Sequence, residues 1–230
     1  MPPVSLLLAS ASPARLATLR AAGVQPAVRV SGVDEEAAVA AATARSGPLE
    51  PADVALLLAR AKAEDVVAAL ADVGNVGGGD AAGPDGPDLV LGCDSVLELD
   101  GEVHGKPADA AEAADRWRRM RGRAGVLHTG HWLVDLRPPG AGGSAGQVGA
   151  AASTTVHFAD LGDDEVDAYV ATGEPLHVAG AFTIDGLGGP YVTAIEGDPG
   201  CVVGVSLPLL RELVGELGLR WHDLRSAPVP

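Results

Sequence analysis

Val4-Ser5-Leu6-Leu7-Leu8-Ala9-Ser10-Ala11-Ser12-Pro13-Ala14-Arg15 carries an apolar run that stops abruptly at a turn of small residues and proline. A short run of this kind suits a strand buried on both faces, the habit of parallel sheets flanked by helices. Pro13 to Ala22 then shows helix signals at both ends, with Ser12 as N-cap, Pro13 at the first helical position and Gly23 just past the end. The chain therefore opens as strand, loop, helix, the unit of an α/β fold.

Outward from this unit, helices and strands alternate almost throughout. Pro26 to Ser31 alternates weakly and predicts a second strand, and Gly32-Val33-Asp34-Glu35-Glu36 begins a polar loop or a short helix. Pro51 to about Asp72 places Val54, Leu57, Leu58, Ala61 and Val66 at helical spacing, which predicts a long amphipathic helix containing Lys62. Asp88 to Gly92 predicts a buried strand leading into Cys93-Asp94-Ser95 and Val96 to Leu99, with Asp100-Gly101 as a tight hairpin turn before Glu102 to His104. Helices are expected at Pro107–Met120 and Asp163–Thr172, and strands at His131–Leu136 and Thr154–Phe158. Short strand-like pieces surround Phe182 and Tyr191, and Leu207 to Leu217 reads as a helix ended by Gly218. Residues 74–88 and 138–150, rich in Gly with Asp, Ala or Pro, read as flexible loop insertions within one domain spanning 1–230.

Bulk composition narrows the function classes. A chain of 230 residues holds one α/β domain or two small lobes, and 47% hydrophobic residues with 3% aromatics imply a core of Ala, Val and Leu. A net charge of −15 would repel a nucleic acid polymer and an anionic membrane surface, though it leaves room for a local basic pocket. Cys93 and Cys201, without zinc-site spacing, read as reduced buried thiols. No basic segment precedes the N-terminal apolar run, and no stretch reaches the roughly 18 apolar residues of a membrane span, so the cytoplasm is the expected compartment.

Several residues stand where chemistry is possible. Ser10-x-Ser12-Pro13-x-Arg15 lies where a buried strand turns into a helix, so two hydroxyls, free backbone N–H groups and the helix dipole converge on an anion site. Arg15, one turn inside the helix, could fold back and add a forked cation suited to phosphate oxygens; the alternative is a capped surface helix with a solvated Arg. Asp94 follows the apolar Leu89-Val90-Leu91-Gly92 at the carboxyl end of a strand, where open α/β sheets place ligands and a carboxylate could bind metal or act as general base. Strand-end Asp residues also simply cap turns. Gly105-Lys106-Pro107 fails the phosphate-loop pattern, since Pro follows the Lys, yet Lys106 at a hairpin exit is placed to meet a phosphate. Lys62 and Glu35, taken alone, read as solvated helix and loop residues. His128 and His131 fall on opposite faces of a strand, which argues against a shared metal. No nucleophile elbow or dinucleotide fingerprint is present.

Taken in order, Leu8-Ala9-Ser10-Ala11-Ser12-Pro13-Ala14-Arg15, Asp34-Glu35, Ala61-Lys62-Ala63, Gly92-Cys93-Asp94, Gly105-Lys106-Pro107, Thr129-Gly130, Glu174-Pro175, Ala179-Gly180-Ala181-Phe182 and Val202-Val203-Gly204 resemble the Maf family of nucleoside triphosphate pyrophosphatases over nearly the whole chain. The resemblance implies a bent mixed sheet flanked by helices, in two lobes with a central nucleotide cleft. It also implies hydrolysis between the α- and β-phosphates, with a divalent cation, magnesium or manganese, as cofactor. In that picture Asp94 matches the acidic residue that activates water, with Lys106, Arg15 and Lys62 as its catalytic companions. Ser10, Ser12, Arg15, Lys62, Lys106 and Asp185 match the substrate-binding positions, and Glu35 joins Asp94 in holding the metal. The expected partner is a nucleoside triphosphate, and members of the family are often homodimers.

Two positions depart from the family pattern. Ala14 stands where many members carry a second Arg and one subgroup a Trp, and Asp185 stands where pyrimidine-preferring members carry Gln. The neighbouring Pro175-Leu176-His177 looks more like the subgroup acting on methylated guanosine triphosphate. The preferred base is therefore open, and the related inosine triphosphatase fold suggests deaminated purine nucleotides as a further class. Because relatives are linked to septum formation, the competing reading is a non-enzymatic cell-division regulator that acts through a protein partner.

Overall fold

The computed structural model describes residues 3–75 and 86–225. The strands are β1 (Leu6–Ala9), β2 (Ala27–Val28), β3 (Leu89–Leu99), β4 (Glu102–His104), β5 (Ala124–Asp135), β6 (Gln147–Phe158) and β7 (Val192–Glu196). The helices are α1 (Pro13–Ala21), α2 (Glu35–Ser46), α3 (Pro51–Asn75), α4 (Ala110–Met120), α5 (Asp163–Ala171), α6 (Pro199–Val203) and α7 (Leu207–Glu216). The seven strands form one mixed sheet in the order β2-β1-β3-β5-β6-β7, with β4 on β3. The β1 strand pairs parallel with β2 and β3, while β3-β5-β6-β7 run antiparallel.

Alternation along β3 explains how the layers stack. Leu89, Leu91 and Cys93 pack on one face with Leu19 of α1 and Leu210, Leu213 and Val214 of α7. Leu97 and Leu99 continue the same face into a second cluster with Trp117 and Met120 of α4 and Val166 and Tyr169 of α5. On the opposite face, Val90 meets Ala63 and Val66 of α3, and Val96 meets Val54, Ala55 and Leu58 of the same helix. The two clusters lie along the same face of one continuous sheet.

Two glycines set the distance between α3 and the sheet. A Cβ at Gly92 would run into the Ala59 carbonyl oxygen, and one at Gly130 into the Ala55 backbone. Ala55, Ala59 and Ala63, four residues apart and fully buried, complete the close contact from the helix side. Register places Gly130 directly beside Asp94.

Several elements differ from the sequence expectation. The second strand shrinks to Ala27–Val28, and the polar segment after it becomes the twelve-residue α2, capped by Asp34 accepting from the Ala37 N–H at 2.9 Å. The fourth helix begins at Ala110, with Asp109 as its cap, leaving Pro107 in the approach loop. Strands β5 and β6 start seven residues earlier than expected, because glycines and alanines in their first halves hide the alternation: Gly130 lies against α3, Gly125 against Glu98 and Leu97, and Gly149 against Trp132. Phe182 lies outside any strand and Tyr191 ends a one-turn 3₁₀ helix, and the strand is Val192–Glu196. The Gly-rich stretch 138–150 is only partly loop: residues 147–150 lie in β6, and the Asp135 carboxylate accepts from the Ser144 N–H and Oγ at 2.8 Å each. In the stretch 74–88, α3 runs on to Asn75, Asp88 is bound to Ser5, and residues 76–85 lie outside the described residues.

Candidate active site

β1 ends at Ala9, opposite Gly92, and β4 begins its pairing at Leu97. Residues 93–96 therefore have no strand beside them on that edge of β3, and Asp94 sits in this gap. This corrects the sequence expectation that placed Asp94 at a strand end: it lies in the middle of a continuous eleven-residue strand, and it is β1 that stops. Each neighbouring element delivers a residue to the gap. The β1–α1 turn supplies Ser10 and Ser12, α3 supplies Lys62, and the start of α2 supplies Glu35. The antiparallel run of β4 leads Gly105 and Lys106 back along the same edge.

The polar centre is a three-membered ion cluster. Lys62 Nζ donates to Asp94 Oδ1 at 2.5 Å and lies 2.7 Å from Glu35 Oε1. Asp94 and Lys62 are largely buried, whereas Glu35 is half exposed. Burial pushes the Asp94 carboxyl above its ordinary value, more than Lys62 and Arg15 pull it down, and Glu35 adds to the rise. A carboxylate that is reluctant to stay charged is a better proton acceptor.

Arg15 is not the open arm that the sequence suggested. Its side chain is buried and points into the protein. Nε donates to the Gly204 carbonyl at 2.8 Å, one terminal nitrogen to Ser10 Oγ and the Cys93 carbonyl at 3.0 Å each, and the other to Ser95 Oγ at 2.9 Å. The reason is long-range: the carbonyls of Cys93 and Gly204 converge on it only in the folded chain, and a guanidinium has enough fixed donors to serve them. Ser95 and Thr129 extend the node. Thr129 Oγ1 donates to the Cys201 carbonyl at 2.8 Å, so the 2.8 Å contact between the two hydroxyls is donated by Ser95. Arg15 thus ties the β1–α1 turn, β3, β5 and the end of α6 into one unit behind Asp94.

Ser10 Oγ accepts from the Ser12 N–H at 3.2 Å as well as from Arg15, and Ser12 Oγ caps α1 by accepting from the Arg15 N–H at 3.3 Å. Lys106 is exposed and has no hydrogen-bonding or ionic partner among the described residues, while the adjacent Gly105 carbonyl is held by the Gly180 N–H and by Arg116. Asp185 is exposed on the loop after Phe182, which follows the Gly180 segment along the chain. Sequence reasoning passed over Ser95 and Thr129, which complete the Arg15 node, and only the Thr129-Gly130 pair among the ordered fragments pointed to either of them.

The histidines do not join the cluster. His128 contacts Glu98 at 3.0 Å and Ser153 at 2.8 Å on the α3 face. His131 is buried on the other face, where Nε2 accepts from the Ser206 N–H at 2.9 Å and Nδ1–H donates to the Thr129 carbonyl at 3.1 Å. Burial and the nearby Arg15 charge lower its pKa to about 4, so the ring is neutral. Both cysteines are buried and free. Among the described residues no helix is long and apolar enough to cross a membrane.

Comparison with known proteins identifies the family. Residues 5–217 match the family model described as Maf-like protein. The chain is 58% identical to the nucleoside triphosphate pyrophosphatase of Salinispora tropica, over 94% of this chain and 85% of that protein. It is 54% identical to the protein of the same name from Leifsonia xyli, over 95% of each chain, and 54% identical to that of Streptomyces coelicolor, over 93% and 90%. The sheet, the ordered motifs and these matches together show that the chain belongs to the Maf family.

Proposed function

We propose that this chain hydrolyses a nucleoside triphosphate to the monophosphate and pyrophosphate in the gap beside β3. The observation that carries the reading is Asp94, a buried carboxylate sharing Lys62 with Glu35 in the unpaired stretch of β3 just beyond the end of β1. The names of the relatives supply the reaction class.

In this reading the triphosphate lies against Ser10, Ser12 and the first turn of α1, with Lys62 on one side and Lys106 on the other. Their positive charge and the helix dipole offset the charge of the phosphates. Asp94 takes a proton from a water whose oxygen attacks the α-phosphorus. The bridging Pα–O–Pβ bond breaks, and pyrophosphate leaves with the bridging oxygen. Arg15 does not touch the substrate here; it fixes Ser10 and the Cys93–Ser95 edge in place. Asp185, on the far side of Lys106, faces the base.

A divalent cation fits the residues present. Among the described residues no group of three or more His, Cys, Asp or Glu side chains is arranged to hold a metal. Glu35 and Asp94 meet on one Lys62, and two carboxylates completed by substrate phosphates and water are an ordinary set for a hard cation of the magnesium or manganese type. Bound there, the cation would neutralise phosphate charge.

The experiment is pyrophosphate release from a panel of ordinary, deaminated and methylated nucleoside triphosphates, with magnesium or manganese and with chelator. Metal-dependent turnover supports the reading and ranks the bases. Silence across the panel would leave the chain a non-enzymatic regulator acting through a protein partner.

A further inference from the structure

We infer that Glu174 is a positioning residue for base selection: its carboxylate closes the 183–188 loop and so fixes where Asp185 stands. The inference rests on the proposed pyrophosphatase reading and names the regulator of one part of that site.

Four donors converge on this one side chain. Oε1 accepts from Tyr169 Oη at 2.8 Å, Thr183 Oγ1 at 2.7 Å and the Gly188 N–H at 2.9 Å. Oε2 accepts from the Leu187 N–H at 2.9 Å. Thr183 stands on the rising limb of the loop and Leu187 and Gly188 on the returning limb, so the carboxylate joins both limbs from inside. Partial burial alone would raise the Glu174 pKa, yet the donors hold it below its ordinary value, so the side chain is charged. Charged acceptors make the stronger hydrogen bonds.

The anchor beneath is rigid. Tyr169 is buried and stacks edge-on against Trp117 with centroids 5.5 Å apart, and the Trp117 indole donates to the Ala181 carbonyl at 2.8 Å. Ala181 itself has φ +62°, a left-handed conformation that a non-glycine residue holds only where its surroundings impose it. A Cβ at Gly188 would meet Tyr169 Oη and the Thr183 backbone, so the returning limb lies hard against this anchor. At the tip Asp185, Gly186 and Leu187 are exposed, and at the base Gly180 is hydrogen-bonded to Gly105, the neighbour of Lys106. A loop so tightly held at its root and bare at its tip is built to present the tip.

The test compares kcat and KM on the nucleoside triphosphate panel for the wild type, Glu174→Gln and Tyr169→Phe. Glu174→Gln keeps the shape and loses the charge; Tyr169→Phe keeps the carboxylate and removes one of its donors. The expected result for Glu174→Gln is a rise in KM for the preferred nucleotide and a fall of about tenfold in the ratio of kcat/KM between preferred and disfavoured bases, with kcat changed less. Tyr169→Phe moves the ratio in the same direction by less. A purely structural role would lower activity equally on every base, and that result, or an unchanged ratio, overturns the inference while the pyrophosphatase reading stands. A wild type inactive on every nucleotide overturns both.

Discussion

Replacing Arg15 by methionine removes four hydrogen bonds while keeping a side chain of similar length. The carbonyls of Gly204 and Cys93 and the hydroxyls of Ser10 and Ser95 lose a donor inside the protein. At about 1 kcal/mol net for each bond, Arg15→Met costs roughly 4 kcal/mol. For a chain of this size each kcal/mol moves the melting temperature by about 2–4 °C, so the variant should melt roughly 8–16 °C lower. Thermal unfolding followed by circular dichroism, with urea unfolding as a second measure, reads this directly. If Arg15 were a solvent-side arm waiting for phosphate, its removal would change stability by no more than about 0.5 kcal/mol, because surface substitutions rarely do more. A variant that has lost activity but melts like the wild type would refute the buried-clamp account of Arg15.

Gly130→Ala places a methyl group against the Ala55 backbone, which should cost about 1–3 kcal/mol or more by overpacking and lift α3, and with it Lys62, from Asp94. Reduced turnover in a folded but less stable chain is the expected outcome, read by melting temperature and pyrophosphate release; wild-type values in both would contradict the packing account. His131 is held neutral, its pKa lowered from 6.5 to about 4, so the unfolded chain takes up a proton first as pH falls. Stability should therefore be fully present above pH 6.5 and drain away between pH 6.5 and 4, by roughly 3 kcal/mol from this residue. Urea midpoints across that range check it, and His131→Gln should lack this part of the slope.

Local signals made much of the scaffold legible. Ser12, Pro13 and Gly23 marked α1, Asp100-Gly101 marked the β3–β4 hairpin, and Gly218 marked the end of α7, because caps and turns act within a few residues. The first halves of β5 and β6 were hidden because Gly125, Gly130, Gly149 and the alanines near them are small: α3 and the neighbouring strands leave no room for the side chains that would show alternation. A short helix was one of two readings for the segment after Gly32, but the full length of α2 was hidden by its alanine content, which gives a helix no apolar stripe against a polar face.

The site was legible as an ordered set of residues but not as an arrangement. Lys62 looked like a solvated helix residue until α3 was seen to ride on Gly92 and Gly130, which bring its ammonium onto Asp94. Glu35 reaches the same ammonium because Asp34 starts α2 one residue earlier. The burial of Arg15 was missed because three of its four partners lie 78 to 189 residues away along the chain, a separation that no local pattern encodes. Glu174 was passed over for the same reason, since its role rests on donors from both limbs of a loop that the sequence does not show to be closed.

The central claim is that Asp94 is the proton acceptor for the attacking water, and Asp94→Asn tests it most directly. The amide keeps the shape and can still accept from Lys62, and Glu35 stays beside that ammonium, so the variant should remain folded. The measurement is metal-dependent pyrophosphate release by the folded variant on the preferred nucleoside triphosphate. The account predicts a loss of about 10²–10⁴-fold in a variant that is still folded, the usual contribution of a general base. Undiminished turnover in a folded Asp94→Asn chain would contradict it.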